Sequence, residues 1–274
     1  MSNILGVNID PPLQAMIHPP LTSDGHKMRY APDLRSALAP LAEKSVDLVI
    51  VKIIPGNGRG LLEQLRVDRN DLKCLVVIKS GTPSGIIDAL REHVCDFLTT
   101  PFSVAELRSA VSSTLTGCPA AEIEVASANP EWVELRLPGD LASVAPLQKL
   151  LTQLEADLPE EVREATGYAL GEMLNNAIEH GCKLDRAKRV EVSYVRLKCG
   201  IMCRIKDPGG GFDPAHLEHA AVNNPSDDPI HHSVVRDEKG MRPGGLGILL
   251  TRQLVDELVY NERHNELMFM KYLS

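Results

Sequence analysis

A short stretch in the C-terminal half, GEMLNNAIEHG (171–181), carries polar side chains at helical spacing. Glu172, Asn176 and His180 recur every four residues, so on an α-helix they share one face. The carboxylate of Glu172 could deprotonate or orient a hydroxyl group or a water molecule, and the amide oxygen of Asn176 could bind Mg²⁺. The solvated face of an ordinary amphipathic helix has the same pattern, so this motif alone leaves both alternatives open.

A second motif, KDPGGGFDP (206–214), follows directly after a strand-like run. Asp207 can accept a hydrogen bond from an exocyclic amine, and Gly209 and Gly211 allow the backbone to approach a flat ring. Both properties suit a pocket for a nucleotide base. A tight turn between a strand and a loop needs the same residues and is the alternative.

The third motif, RPGGLGILLTRQLVDEL (242–258), is a glycine-rich turn that runs into a predicted helix. Free N–H groups at such a turn, together with the helix dipole, bind phosphate oxygens. The segment lacks the Gly-Lys-Ser/Thr ending of a P-loop and the GxGxxG pattern between strand and helix. A helix start that needs glycine for steric reasons is the alternative.

Taken together, the three motifs resemble the N, G1 and G2 boxes of the Bergerat-fold (GHKL) ATP-binding superfamily, which includes gyrase, the Hsp90 chaperone, MutL and histidine kinases. The resemblance covers residues 131–274. Within the superfamily, ELRLPGD, ExxxNAIEHG and GGLGILLTRQLVDEL are most similar to the anti-sigma-factor serine/threonine kinases. The resemblance implies an α/β sandwich with a mixed sheet, and ATP and Mg²⁺ as cofactors.

The resemblance also implies a role for each matching residue. It makes Glu172 the catalytic base and Asn176 the Mg²⁺ ligand, and it makes Asp207 the reader of the adenine amine. The residues expected to hold ATP are Asn176, Asp207, Gly209, Gly211, Arg242, Gly245 and Gly247. Arg242 is a candidate phosphate contact, and His180 is expected to serve in packing.

By this resemblance the chain is a signalling protein that phosphorylates or sequesters a regulatory partner. The expected partners are a STAS-type anti-sigma antagonist and a sigma factor. Residues 118–179 contain no histidine, so a histidine-kinase phosphoacceptor is not expected there. Two alternatives stay open: a catalytically inactive, nucleotide-gated binding module, and a histidine-kinase-like ATPase that acts on a separate partner. The oligomeric state, including a homodimer, is open as well.

In the N-terminal half, short apolar runs alternate with helix-spaced apolar residues, which predicts a doubly wound parallel sheet. Strands are predicted at 4–7, 47–51, 75–78 and 96–99, and helices at 33–44, 61–66 and 86–93. ILGVNIDPP, DLVIVKIIPG and DFLTTPFSVAEL resemble the receiver domain of response regulators, with its flavodoxin-like fold. This second resemblance covers residues 1–117.

The receiver-like half lacks the residues for phosphoryl transfer. A receiver needs carboxylates that bind Mg²⁺ and an aspartate at the end of its third strand that accepts the phosphoryl group. Lys52 stands at that position, and only Asp10 remains of the acidic cluster. We therefore expect a pseudo-receiver that is not phosphorylated and serves in docking or control. Either Lys52 pairs with Asp10 where Mg²⁺ would bind, or the pocket has simply decayed.

Two domains, 1–117 and 131–274, are predicted on either side of segment 118–130, which is a linker or a loose strand. In the second domain we predict strands at 131–140 and 266–273 and a hairpin at 190–207. Helices are predicted at 141–158, 160–178 and 246–260.

The polar region 213–243 has no periodicity and is predicted as a lid or as disorder. Arg236 and Lys239 are candidates to reach a γ-phosphate when the lid closes, and solvated loop charges are the alternative. His231–His232 beside Asp227–Asp228 could bind a metal, although a polar loop explains the same residues.

Composition excludes several classes of protein. The net charge of −8 and the 4% of aromatic residues argue against a nucleic-acid partner, which needs clustered cations and stacking rings. No run approaches the roughly 20 apolar residues that span a bilayer, and the start lacks a signal-peptide pattern. The cysteines show no CxxC spacing, so we expect reduced thiols in a cytoplasmic protein without a membrane partner. Cys199 and Cys203 near His180 are a weaker metal alternative.

Overall fold

The computed structural model divides into two compact units, Met1–Glu124 and Val125–Ser274. The residues that it describes are 1–43, 45–53, 64–65, 72–79, 83–213, 221–225, 228, 230–238, 240 and 245–273. Most of the helix predicted at 61–66 lies outside these residues.

The first unit contains a five-stranded parallel sheet with the order β2-β1-β3-β4-β5. Its strands are β1 (Asn3–Val7), β2 (Lys27–Ala31), β3 (Leu48–Lys52), β4 (Lys73–Lys79) and β5 (Asp96–Thr100). This is the order of flavodoxin-like doubly wound folds, so the predicted fold class is confirmed. β2 is not predictable from the sequence pattern, because this edge strand has exposed residues and no apolar run.

The helices whose bounds lie within the described residues of this unit cover the sheet: α1 (Pro11–Ser23), α2 (Leu34–Ala42), α3 (Pro83–Arg91) and α4 (Val104–Thr116). Asp10 caps α1, since its Oδ1 accepts from Leu13 N at 3.0 Å, and prolines occupy the first helical positions, where no N–H is needed. Leu13, Ile17 and Leu21 recur every four residues on α1 and pack into the core beneath it.

One pair of cysteines in this unit departs from the expectation of reduced thiols. Cys95 and Cys118 form a disulfide, with their Cα atoms 4.2 Å apart. Cys95 precedes β5 and Cys118 follows α4, and a helix that returns antiparallel to its strand brings these two ends together. The spacing of 23 residues gives no local signal such as CxxC. The other four cysteines are free thiols.

The second unit is built on a six-stranded sheet with the order β10-β11-β9-β8-β7-β6. Its strands are β6 (Glu124–Asn129), β7 (Trp132–Pro138), β8 (Arg189–Leu197), β9 (Gly200–Lys206), β10 (Glu257–Tyr260) and β11 (Glu266–Tyr272). The four pairs from β7 to β10 whose register is defined are antiparallel, so the mixed arrangement expected from the resemblance does not hold for them. Within segment 118–130, β6 corresponds to the strand alternative.

The described residues of this unit form the helices α5 (Val144–Leu154), α6 (Glu160–Asn176), α7 (His231–Glu238) and α8 (Gly247–Leu254), and a π-helical turn follows α6 at Ala177–Cys182. The helix predicted at 246–260 is too long, because Leu258 and Tyr260 alternate with exposed residues and form β10. The predicted lid contains α7, whose short polar sequence hides its periodicity.

Apolar residues of the sheet alternate in the way a one-sided core requires. Val133, Leu135 and Leu137 of β7 are buried, while Glu134 and Arg136 between them are not. α5 and α6 cover this side with Leu147, Leu150, Ala169, Leu170 and Leu174. Among the described residues, no helix combines the length and apolar character that crossing a bilayer requires.

A polar cluster is buried beneath the end of α5. Glu155 is only 1% exposed, and its Oε1 has no hydrogen-bond partner among the described residues. Tyr194 and the partly buried Arg163 and Arg196 lie around it. Burial raises the pKa of Glu155 to about 8, although the two arginines oppose the shift. Glu155 is therefore carried protonated in the folded domain at neutral pH.

This burial predicts a pH-dependent cost to stability. Folding raises the pKa of Glu155 from 4.5 to about 8. The stability that depends on this group is therefore fully present below pH 4.5, the pKa in the unfolded chain, and is lost as the pH rises toward 8. Glu155→Gln removes this ionisation. We therefore expect the free energy of unfolding of the variant, relative to that of the wild type, to rise by the order of 3 kcal/mol between pH 5 and pH 8. Urea unfolding followed by the fluorescence of Trp132, the single tryptophan, measures this in the second unit.

Glu164→Gln is the matched control, because Glu164 is exposed on α6. Its difference from the wild type should not change with pH. An equal effect of Glu155→Gln at both pH values would show that Glu155 is already ionised in the folded protein.

Candidate functional site

The second unit contains a cavity of about 350 Å³ between the end of α6, the π-helical turn, the segment after β9 and the start of α8. Seven of the eight site residues expected from the sequence line it: Glu172, Asn176, Asp207, Gly209, Gly211, Gly245 and Gly247. The eighth, Arg242, lies outside the described residues. The three sequence motifs therefore meet at one place.

α6 positions the first motif. Its residues Leu170, Met173 and Leu174 are buried against the sheet, which leaves Glu172 and Asn176 on the flank that faces the cavity. Gly247 begins α8 directly beside Glu172: a Cβ atom at Gly247 would lie 2.2 Å from Glu172 Oε2. The carboxylate thus lies at a helix N-terminus, where the helix dipole favours negative charge.

After Asn176 the helix widens into the π-helical turn, a local change of spacing that is frequent at functional sites. The turn brings Glu179, His180 and Gly181 to the cavity. His180 is exposed on the cavity wall and is not part of the core, which differs from the packing role expected for it. The prediction that Glu172, Asn176 and His180 share one face used regular α-helical spacing, so it did not include this turn.

Asp207 is held in place from three sides. Its N–H donates to Asn265 O at 2.9 Å, and its Oδ1 accepts from Gly209 N at 2.8 Å. On the third side, a Cβ atom at Gly181 would lie 2.2 Å from Asp207 Cγ. Burial raises the pKa of the Asp207 carboxyl, and the Gly209 N–H opposes this shift. The carboxylate is therefore half-buried, fixed in direction and exposed to the cavity.

Gly211 needs to be glycine on two grounds. Its φ of +83° is rarely adopted by residues with a side chain. A Cβ atom there would lie 1.6 Å from the carbonyl oxygen of Arg263. The backbone after Asp207 can therefore follow the cavity wall closely.

Three rings that the sequence analysis did not single out form another wall of the cavity. Phe212, Tyr260 and His264 lie with their ring centroids 5.3 to 5.7 Å apart. Burial raises the pKa of Tyr260 to about 12, and its hydroxyl donates to Met173 Sδ at 3.7 Å. The rings come from separate segments, and Tyr260 falls in the region predicted as helix. Phe212, which lies within the motif KDPGGGFDP, is the one feature of the sequence that could have indicated this aromatic wall.

Asn265 joins this wall to Asp207. Its Nδ2 donates to Asp207 O and to Gly209 O, both at 3.3 Å. The side chain thus fixes the turn that carries the carboxylate.

Part of the predicted lid lies against the cavity. Arg236 on α7 is 8% exposed and contributes to the cavity wall, whereas Lys239 lies outside the described residues. His231 pairs with Asp228 at 3.3 Å, and Asp227 is not described. The part of the chain that the structure describes contains no group of three or more histidine, cysteine, aspartate or glutamate side chains that could hold a metal ion.

In the first unit, Lys52 and Asp10 meet at the carboxyl ends of the parallel strands. Lys52 Nζ forms an ion pair with Asp10 Oδ2, and the hydrogen bond from Lys52 holds the pKa of Asp10 below its usual value. Asn8 Nδ2 donates to Lys52 O at 3.0 Å. This corresponds to the first of the two alternatives for Lys52: the ammonium pairs with the remaining carboxylate.

Comparison with known proteins defines the class of the second unit. The family model described as "Histidine kinase-like ATPase domain" matches residues 137–271. With the receiver-like topology of the first unit, the chain joins a receiver-like domain to a histidine kinase-like (GHKL) ATPase domain. Both resemblances seen in the sequence are thereby confirmed.

Part of the chain is also similar in sequence to a protein kinase. The serine-protein kinase RsbW of Listeria monocytogenes is 24% identical over 115 residues, which is 42% of this chain and 68% of the relative.

Solved structures match 42% of the chain. NtrX from Brucella abortus, in complex with ADP, is 25% identical with a TM-score of 0.39, and the match covers 27% of the NtrX chain. A response regulator from Thermotoga maritima is 20% identical with a TM-score of 0.40 and is covered to 98%.

Gly181→Ala tests the packing around Asp207. A Cβ atom at 2.2 Å from Cγ and 2.5 Å from Cβ of Asp207 must displace that side chain. We expect adenine nucleotides to bind at least about tenfold more weakly, because the loss of one hydrogen bond to a charged group lowers affinity by about that factor. Calorimetric titration of the full chain with ADP measures the change.

Gly167→Ala provides the control, because a Cβ at Gly167 on α6 would have no atom within 4 Å apart from the adjacent residues and backbone of its own helix. This variant should bind nucleotide like the wild type and should be slightly more stable. Equal affinities for Gly181→Ala and Gly167→Ala would contradict the assigned position of Asp207.

The Lys52–Asp10 pair predicts that the first unit accepts no phosphoryl group. After incubation of the full chain with acetyl phosphate and Mg²⁺, intact mass spectrometry should show no added phosphoryl group. A hydroxylamine-sensitive phosphoryl group within residues 1–117 would contradict this prediction.

Proposed function

We propose that the chain is an ATP-dependent serine/threonine-protein kinase of the anti-sigma-factor type. It acts in the cytoplasm on a regulatory partner protein, and the pseudo-receiver domain serves in docking or control. The observation that carries the proposal is that Glu172, Asp207 and the glycine-rich start of α8 line one cavity. The match to an ATPase family and to a serine-protein kinase supports it.

The Asp207 end of the cavity suits a purine base. A fixed carboxylate accepts a hydrogen bond from an amine such as the one on adenine, and the turn at Gly209–Gly211 lets a flat ring approach. Phe212, Tyr260 and His264 add apolar ring surface beside it. A pocket with few polar groups and aromatic walls is the usual form of such sites.

The α8 end suits phosphates. Gly245 and Gly247 bring backbone N–H groups and a helix N-terminus to the cavity, and Arg242 is proposed as an additional contact. The oxygens of Asn176 and Glu172 fit Mg²⁺, which binds one or two protein oxygens together with substrate phosphates. When bound, Mg²⁺ would neutralise charge on the phosphates. We assign Asn176 as its ligand.

Glu172 is the proposed catalytic base. Its carboxylate faces the cavity next to Gly247, at the end where the γ-phosphate would lie. There it orients a serine or threonine hydroxyl of the partner for in-line attack and accepts its proton. A site that only bound nucleotide would not require this carboxylate.

The proposed partner is a STAS-type anti-sigma antagonist, with a sigma factor as the alternative ligand. Similarity to RsbW supports a partner of this kind. A homodimer is compatible with this role.

A nucleotide-gated binding module without phosphotransfer is the second candidate. It is favoured by the Lys52–Asp10 pair, because one domain of this chain has already lost the groups for its chemistry. A histidine-kinase-like ATPase that acts on a separate partner has no specific observation in its favour.

Glu172→Gln tests the proposal. The amide keeps the shape of the side chain but accepts no proton, so we expect transfer from γ-labelled ATP to a STAS-type partner to fall by about 100-fold or more. Calorimetry should show ATP affinity within about threefold of the wild type. Glu164→Gln, on the exposed face of the same helix, should retain full transfer.

The outcomes separate the two candidates. Transfer that survives in Glu172→Gln would show that the base is another residue. A wild-type chain that binds ATP and phosphorylates no partner would support the non-catalytic module.

A further inference from the structure

The Cys95–Cys118 disulfide holds the start of the segment that leads out of the first unit. Cys95 stands directly before β5, and its N–H donates to Cys74 O at the start of the neighbouring strand β4, at 3.0 Å. Cys118 follows α4, and the chain reaches β6 of the second sheet at Glu124. The disulfide therefore ties the beginning of this connection to the sheet of the first unit.

The contacts that follow Cys118 are weaker than the covalent bond. The 3₁₀ turn Pro119–Glu122 contacts β5, and Ala121 O accepts from His93 Nδ1 at 3.1 Å. His93 is exposed, so water competes for this hydrogen bond and its net contribution is small. Ile123, which ends the segment, is 1% exposed. The turn thus lies between two fixed points, the disulfide and a buried apolar side chain.

The two bridged sulfurs differ in their access to another thiol. Cys95 is 2% exposed, whereas Cys118 is partly exposed. Thiol–disulfide exchange begins when a thiolate attacks one sulfur of the bridge, and access decides which sulfur is attacked. Cys118 is therefore the sulfur open to attack, and Cys95 is the leaving group.

The compartment in which the chain is proposed to act gives this disulfide a meaning. Thiols are kept reduced in the cytoplasm, and a disulfide there is usually transient and serves in catalysis or redox sensing. All six cysteines lie among the described residues, and of these only Cys95 and Cys118 are bridged. A framework of several structural disulfides, as in small secreted domains, is therefore not the role of this bond.

We propose that Cys95 and Cys118 form a thiol–disulfide exchange site for a protein dithiol, and that reduction of the bridge releases the turn Pro119–Glu122 from β5. The inference goes beyond the proposed kinase function and uses from it only the cytoplasmic location.

The exchange is balanced in two steps. A thiolate of the dithiol attacks Cys118 Sγ, a bond forms between these two sulfurs, and Cys95 leaves as a thiolate that takes up a proton. The second thiol of the dithiol then displaces Cys118, which also ends as a thiol. The dithiol loses two electrons and two protons and becomes a disulfide, and the chain gains both.

Counting thiols in the full chain tests the exchange. The Cys199→Ser variant is used, because Cys199 is the exposed one of the four free thiols. The folded protein is treated with glutathione disulfide or with dithiothreitol, quenched with acid, and alkylated after denaturation. We expect three alkylated cysteines in the oxidised chain, which are the buried free thiols, and five in the reduced chain, which are all that remain of the six.

Both other results of the count would overturn the inference. Five alkylated cysteines after the oxidant would show that the bridge does not form. Three after dithiothreitol would show a permanent structural disulfide that does not exchange in the folded protein.

Hydrogen–deuterium exchange measures the release of the turn. Ala121 N donates to Cys118 O within it at 3.1 Å. In the reduced chain we expect the amides of residues 118–122 to exchange at least about tenfold faster than in the oxidised chain, because local opening no longer has to work against the covalent bond. Amides of β1 (Asn3–Val7) should exchange equally in both forms. Equal rates at residues 118–122 would overturn the proposed release.

A matched pair of variants tests which sulfur is attacked. In the Cys199→Ser background, Cys95→Ala leaves the partly exposed thiol of Cys118, and Cys118→Ser leaves the buried thiol of Cys95. With glutathione disulfide, the folded Cys95→Ala protein should take up one glutathione and the Cys118→Ser protein none. Equal uptake by the two variants would contradict the assignment of Cys118.

These measurements use no nucleotide, so their failure is distinguishable from failure of the proposed function. A bridge that does not exchange would overturn the inference while the kinase proposal stands. A chain that exchanges as described and phosphorylates no partner would overturn only the kinase proposal.

Discussion

The close approach of Gly181 to the side chain of Asp207 is the contact on which the candidate site depends. A Cβ atom at Gly181 would lie 2.2 Å from the carboxyl carbon, so the carboxylate can hold its position only where the π-helical turn presents a glycine. Gly209 N and Asn265 O then fix the direction of Asp207 through hydrogen bonds. Because the turn directly continues α6, the same helix also places Glu172 on the wall of the cavity. One geometric constraint thus couples the position of Asp207 to that of Glu172.

The motifs could be predicted from the sequence because each needs particular residue types in a local order. Glu172 and Asp207 belong to short segments that can be recognised from residue type and spacing alone, and both segments line the cavity. The aromatic wall could not be predicted, since Phe212 and His264 are far apart in the chain. The same holds for the Cys95–Cys118 disulfide, which depends on how a strand and its following helix return to one place. Within the lid region, α7 could not be predicted, because its short sequence is mostly polar and shows no apolar periodicity. The burial of Arg236 depends on tertiary contacts, which the local sequence does not indicate.

The two halves of the chain differ in net charge. Basic and acidic residues are equal in number over residues 1–117, so the entire net charge of −8 lies in the remainder of the chain. An acidic domain cannot attract a nucleotide through its overall field. Under the proposed function it depends on local groups on the cavity wall, such as the backbone at Gly245 and Gly247 and the buried Arg236. In the first unit, Lys52 and Asp10 form an ion pair at the carboxyl ends of the parallel strands, so their opposite charges offset each other there.

The most direct test of the account compares two nucleotides on the unmodified chain. ATP carries an amine at the position where inosine triphosphate carries a carbonyl oxygen, and the phosphates and ribose are the same. If the Asp207 carboxylate accepts a hydrogen bond from the base, calorimetry will show that inosine triphosphate binds about tenfold more weakly than ATP or worse, because a carbonyl then faces the half-buried carboxylate. Equal affinity for the two nucleotides would contradict the assignment of this cavity as an adenine site.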